Sequence, residues 1–126
     1  MSKEKPVFDL EDRLIDSAVR IIRLADSLPN TRVGNHIAGQ LVRCGTSPAP
    51  NYGEAQSAES PADFIHKLKV CLKELREIRV WLLMIARSNL TRATSGLESL
   101  IQENNELISI FVSSVRTAKQ KRSKTS

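Results

Sequence analysis

The apolar residues of this chain recur at the three- and four-residue intervals of an amphipathic helix, in four blocks divided by short polar punctuation. In the first block, about Leu10 to Leu28, Leu14, Ala18, Ile21, Ala25 and Leu28 follow the alternating spacing of a bundle seam. Asp9 stands as its N-cap and Asp12 in its first turn. Ile15, Val19 and Ile22 form a second apolar row, more surface than one seam needs. Leu28-Pro29-Asn30-Thr31 ends this helix and caps the next. The second block, about Arg32 to Ser57, carries Ile37, Leu41, Cys44, Tyr52 and Ala55, but Pro48 and Pro50 interrupt it. Each proline lacks a donor and disfavours helical backbone in its predecessor. The pattern therefore predicts a break or kink at 46–50, with a shorter helix resuming at about Asn51.

The third block opens on the strongest start signal in the chain: Ser60 as N-cap, Pro61 at the first helical position and Asp63 in the capping-box place. Phe64, Leu68, Cys71, Leu75, Ile78, Leu82 and Ile85 then repeat without a breaker, flanked by a second patch of Val70, Trp81 and Met84. After a loop at 89–94, Ser95 and Glu98 suggest another capping box. The fourth helix follows to about Lys119 on Leu97, Ile101, Leu107 or Ile108, Phe111, Val115 and Ala118. Asn104 occupies a seam position, where one buried amide commonly sets helix register. Four helices with short connections predict an all-α, up-down-up-down four-helix bundle over residues 1–119, followed by a basic, disordered tail at 120–126.

Composition narrows the picture. The 126 residues make one domain, and 40% hydrophobic with 26% charged content is that of a globular chain. Five glycines and five prolines supply too few turns for an all-β fold, and no apolar run reaches the length of a membrane span. The opening Met1-Ser2-Lys3-Glu4-Lys5-Pro6 lacks the apolar stretch of a signal peptide, so a cytoplasmic protein with reduced, buried Cys44 and Cys71 is expected. The net charge of +5 has a definite address: Arg116, Lys119, Lys121, Arg122 and Lys124 follow the last acidic residue, Glu106, and the rest of the chain is balanced. Such a tail is either a solubilising end or a contact for a polyanion.

No catalytic constellation emerges. His36, Cys44, His66 and Cys71 match no zinc-ligand spacing, and nothing positions a base beside Cys44, so neither a metal, a cofactor nor an enzyme activity is expected. Two rows of cations are more suggestive: Arg13, Arg20 and Arg23 on the first helix, and His66, Lys69, Lys73 and Arg76 on one face of the third. Asp16 interrupts the first row while Glu74 and Glu77 flank the second, so each also reads as a solvated face laced with ion pairs. Multiplied by self-association, the rows and the tail would hold RNA or DNA through its phosphates. Trp81 and Tyr52 read as buried, which leaves little for base stacking.

The segment Arg43-Cys44-Gly45-Thr46-Ser47-Pro48-Ala49-Pro50-Asn51-Tyr52-Gly53-Glu54-Ala55 places small and polar residues where a bundle helix normally carries leucine. Small residues permit close helix approach, and Asn51 with Glu54 lies on one face, positioned to tie this helix to a neighbour. Arg43, Gly45, Thr46, Ser47, Asn51, Glu54 and Ala55, followed by Phe64, Ile65, Lys67 and Leu68, resemble the motif of the four-helix-bundle proteins encoded in intervening sequences of 23S ribosomal RNA genes. Pro48 and Pro50 depart from it, since relatives usually carry an aliphatic and a small residue there. The resemblance extends to the accessory variability determinant protein of diversity-generating retroelements. It implies a bundle that assembles into a ring of five, nucleic acid as a ligand, and a reverse transcriptase with its RNA as a candidate partner. The alternative is a protein–protein scaffold without nucleic-acid binding.

Overall fold

The computed structural model describes residues 9–125; the first eight residues, counted into the bundle above, and Ser126 of the tail lie outside the described residues. Five helical pieces build four legs: α1 (Leu10–Ser27), α2 (Arg32–Gly45) and α3 (Pro48–Gln56) as one interrupted leg, α4 (Pro61–Arg87), and α5 (Thr94–Thr125). α4 packs against α2, α3 and α5, while α1 closes the bundle against α2, α3 and α5. The protein is an all-α four-helix bundle.

Local chemistry explains where the helices begin and end. Asp9, Thr31 and Ser60 each accept the expected N-terminal bond, from the amides of Asp12, Gly34 and Asp63 at 3.2, 3.0 and 3.0 Å. α1 stops because Leu28, which precedes Pro29, is extended at φ −71° and ψ 155°. α4 ends in a Schellman turn. Asn89 takes the left-handed conformation at φ 55°, the amide of Leu90 reaches back to Ile85 O at 3.2 Å, and that of Asn89 reaches Ala86 O at 3.3 Å. α5 begins earlier than its sequence signal. The amide of Leu97 bonds to Ala93 O, so Ser95 and Glu98 fall inside the first turns rather than forming a cap.

The interruption between α2 and α3 is slighter than two prolines suggest. Only Thr46 and Ser47 separate the pieces, and the helix resumes at Pro48, not Asn51. Ser47 stays helical at φ −86° and ψ −39°, and Ala49 lies within α3, although both precede a proline. The reason is position: Pro48 and Pro50 occupy the first turn of α3, where amide donors have no intrahelical acceptor to lose. Asn51 reinforces the joint by donating from Nδ2 to Ser47 O and Ser47 Oγ, both at 3.0 Å.

The core follows the predicted stripes closely. Leu14, Ile21 and Ala25 of α1 meet Leu41 and Cys44 of α2, with Leu68 through Ile85 of α4 running beside Leu97, Leu107, Phe111 and Val115 of α5. Leu100 is buried where Ile101 was expected and Ile101 is half-buried, a small rotation of α5 about its axis. Asn104 is 1% exposed and donates from Nδ2 to Leu75 O of α4 at 3.0 Å. Its Oδ1 and the buried Ser17 Oγ have no hydrogen-bond partner among the described residues.

α5 stays helical to Thr125, past the Lys119 end and through most of the tail expected to be disordered. No glycine or proline follows Gly96, and lysine, arginine and glutamine all propagate helices well. Cations in the last turn also suit the negative end of the helix dipole.

Candidate nucleic-acid interface

Arg43, Gly45 and Glu54 of the motif prove to be joints between helices. Gly45 is buried where α2 crosses α1, and a Cβ built there would stand 2.5 Å from Ile21 Cγ2. Arg43 Nη2 is paired with Glu77, which also accepts from Trp81 Nε1 at 3.1 Å. Arg43 Nη1 lies 3.8 Å from Glu74, so this one arginine ties α2 to α4. The bond from Trp81, with Arg43 after it, holds the Glu77 carboxyl below its ordinary range. Glu54 ties α3 to α4 by accepting from Lys67 Nζ at 2.7 Å, a bond that raises the lysine's pKa. Asn51 does not reach a neighbouring helix as expected; its bonds stay within the α2–α3 joint. Thr46 likewise bonds locally, from Oγ1 to Val42 O at 2.7 Å.

The cationic row of α1 is largely committed to structure. Arg13 grips Glu103 of α5 through Nε and Nη2 at 2.9 and 2.8 Å and adds Glu106 at 3.0 Å. The bond to Glu103 raises the guanidinium pKa further, so this charge is neutralised rather than offered to phosphate. Arg20 donates to Ser99 Oγ at 2.9 Å, and beside it Arg23 lines a cleft of about 280 Å³ between α1 and α5.

The row on α4 is arranged differently. His66, Lys69, Lys73 and Arg76 are all exposed on one face. Lys119 of α5 comes close enough to Lys69 to hold its ammonium below the ordinary lysine range. The Lys69–Lys119 meeting is invisible in sequence, because it depends on how α4 and α5 pack against each other. Arg116, Lys121, Arg122 and Lys124 are likewise placed on a regular helix. Lys121 and Arg122 line an open pocket of about 570 Å³ with Phe64, at the end of the bundle where α3 turns into α4.

Cys44 and Cys71 are fully buried on the apolar faces of α2 and α4. Their thiols donate to Leu41 O at 3.7 Å and Pro48 O at 3.5 Å, and burial pushes both pKa values up to about 12. Alkylation with iodoacetamide at mildly alkaline pH is expected to leave both untouched in the folded protein and to modify both in denaturant, read by intact mass. Modification of the native protein would contradict their burial. Among the described residues no group of three or more His, Cys, Asp or Glu could hold a metal ion, and no helix is long and apolar enough to cross a membrane.

The interrupted second leg, the Gly45 crossing and the Arg43 and Glu54 joints define a small antiparallel bundle that spends its most distinctive residues on holding helices together. The chain belongs to the 23S rRNA-intervening sequence protein family, whose model matches residues 9–113. A solved protein of unknown function from the S23 ribosomal protein family of Bacteroides thetaiotaomicron is 34% identical. The match covers 84% of this chain and 97% of that one, at a TM-score of 0.76. No curated protein matches the chain.

Proposed function

We propose that this protein is a non-enzymatic, self-associating accessory protein of the cytoplasm that binds RNA or DNA through the phosphate backbone, with a reverse transcriptase and its RNA as the candidate assembly it serves. The observation that carries the nucleic-acid part is the exposed cationic row Lys69, Lys73 and Arg76 on one face of α4, with Lys119 of α5 beside Lys69. Two ammonium groups held together repel one another, and a polyanion relieves that repulsion while releasing its own counterions. The α1 row contributes Arg20 and Arg23 at most, since Arg13 is occupied by Glu103 and Glu106.

Self-association is supported by apolar surface that the single chain leaves uncovered. On α1, Ile15, Val19 and Ile22 are 46%, 36% and 45% exposed, and Val33, Val80 and Met84 line a separate cleft between α2 and α4. Two unlike apolar faces on one chain suit a head-to-tail contact, which closes into a ring when the rotation permits; five copies is the number that the family resemblance implies. The same cleft favours the second reading, a scaffold that docks another protein there.

Gel shift with mixed RNA at low and high salt, run beside light scattering, tests both parts. The expected result is a shift at low salt that fades at high salt, from a particle several times the 14.0 kDa of one chain. A monomer mass sinks the ring, and no shift at about 50 mM salt replaces nucleic-acid binding with the scaffold reading.

A further inference from the structure

We infer that the exposed apolar row of α1 in one copy of this chain seats in the α2–α4 cleft of a second copy, with Glu11 and Asp26 at the ends of the row meeting Arg79 and Arg87 at the ends of the cleft. The inference rests on the self-association reading and names the two faces that join.

Ile15, Val19 and Ile22 stand on the outer side of α1, while Leu14, Ile21 and Ala25 on its inner side are buried. The cleft holds about 560 Å³ and is walled by Val33 and Ile37 of α2 and by Val80, Leu83 and Met84 of α4. Val33, Val80 and Met84 are exposed, so this apolar surface is open to a partner. α1 and α4 each pack on α2, α3 and α5, which sets them at opposite corners of the bundle. The α1 row therefore cannot fill the cleft of its own chain, and a second copy must bring it.

Charge decides which face meets which. Glu11, Ile15, Val19, Ile22 and Asp26 recur at four- and three-residue steps, so one side of α1 carries a carboxylate beyond each end of its apolar row. Arg79, Leu83 and Arg87 recur at four, placing a guanidinium before and after the apolar wall of α4. All four charged residues are exposed, and among the described residues none of them forms an ion pair within the chain. Arg23, beside the row, lines the α1–α5 cleft instead.

The lengths agree as well. Ile15 to Ile22 and Val80 to Arg87 each cover about 10 Å of helix, which leaves the carboxylates one turn outside and within reach of arginine arms. A two-fold contact between like faces would set Glu11 and Asp26 against their own copies, or Arg79 and Arg87 against theirs, and either repels. Row into cleft pairs opposite charges at both ends. Each copy then keeps one face of each kind unused, so the contact repeats head to tail.

Light scattering tests the pairing. Ile15→Gln with Ile22→Gln spoils the row, Val80→Gln with Met84→Gln spoils the cleft, and neither pair touches a buried residue. Wild type is expected to run as a multimer and each variant alone at the 14.0 kDa of one chain. Their equal mixture should run as a particle of two chains, because one intact cleft then meets one intact row. Circular dichroism confirms that each variant stays helical. Arg79→Glu with Arg87→Glu should raise the dissociation constant about tenfold, and adding Glu11→Lys with Asp26→Lys in the same chain should recover it. A variant that associates as wild type does, or a mixture that stays monomeric, overturns the pairing while the wild-type multimer keeps the self-association reading. A charge reversal without effect or without recovery overturns the charged ends. A monomeric wild type fails self-association itself and the pairing with it.

Discussion

Gly45→Val is expected to lower stability by about 3 kcal/mol, whereas Gly39→Ala, six residues earlier in the same helix, raises it by about 1 kcal/mol. The difference lies in what each Cβ meets. At Gly45 it would stand 2.5 Å from the buried Ile21 Cγ2, so α1 and α2 must separate or Ile21 must leave its place in the core. At Gly39 nothing lies within 4 Å, and alanine simply removes the backbone freedom that glycine brings to a helix interior. Urea unfolding followed by circular dichroism measures both from the shift in midpoint. Equal effects of the two substitutions would show that the α1–α2 crossing is looser than its geometry. Gly45 lies within residues 9–113, which the family model matches, and the crossing gives a glycine there a physical reason.

Neutralising the end of α5 is expected to have the largest effect on binding. A variant carrying Lys119→Gln, Lys121→Gln, Arg122→Gln and Lys124→Gln keeps a good helix former at every position, so α5 persists. If these four cations touch phosphates, the slope of log affinity against log salt flattens by roughly three, and affinity at about 50 mM salt falls on the order of a hundredfold. Arg13→Gln is the control. It belongs to a basic row by sequence, but its guanidinium is bound to Glu103 and Glu106, so binding should hold while stability falls. A salt slope unchanged in the quadruple variant would remove α5 from the interface, and an Arg13→Gln variant that binds as poorly as the quadruple one would return the α1 row to it.

Much of this protein is legible in one dimension because a helix bundle is built from local rules. Side-chain spacing near 3.6 residues determined which positions are buried, and Asp9, Thr31 and Ser60 marked three helix starts through a bond that spans only three residues. The motif from Arg43 to Ala55 was visible as a run of small and polar residues, and with it the family. Proline rules overstated the break at Pro48 and Pro50, because the cost of a missing donor depends on whether the position sits inside a helix or at its first turn. Which cations are paired or crowded was beyond sequence altogether. Arg13 meets Glu103 across 90 positions and Lys69 meets Lys119 across the α4–α5 packing, so only the folded bundle neutralises the one and crowds the other. The spacing of apolar residues determined the fold. Tertiary contact alone decided which charges are paired and which are crowded, because opposite charges cancel, and like charges press together, only where packing brings them near.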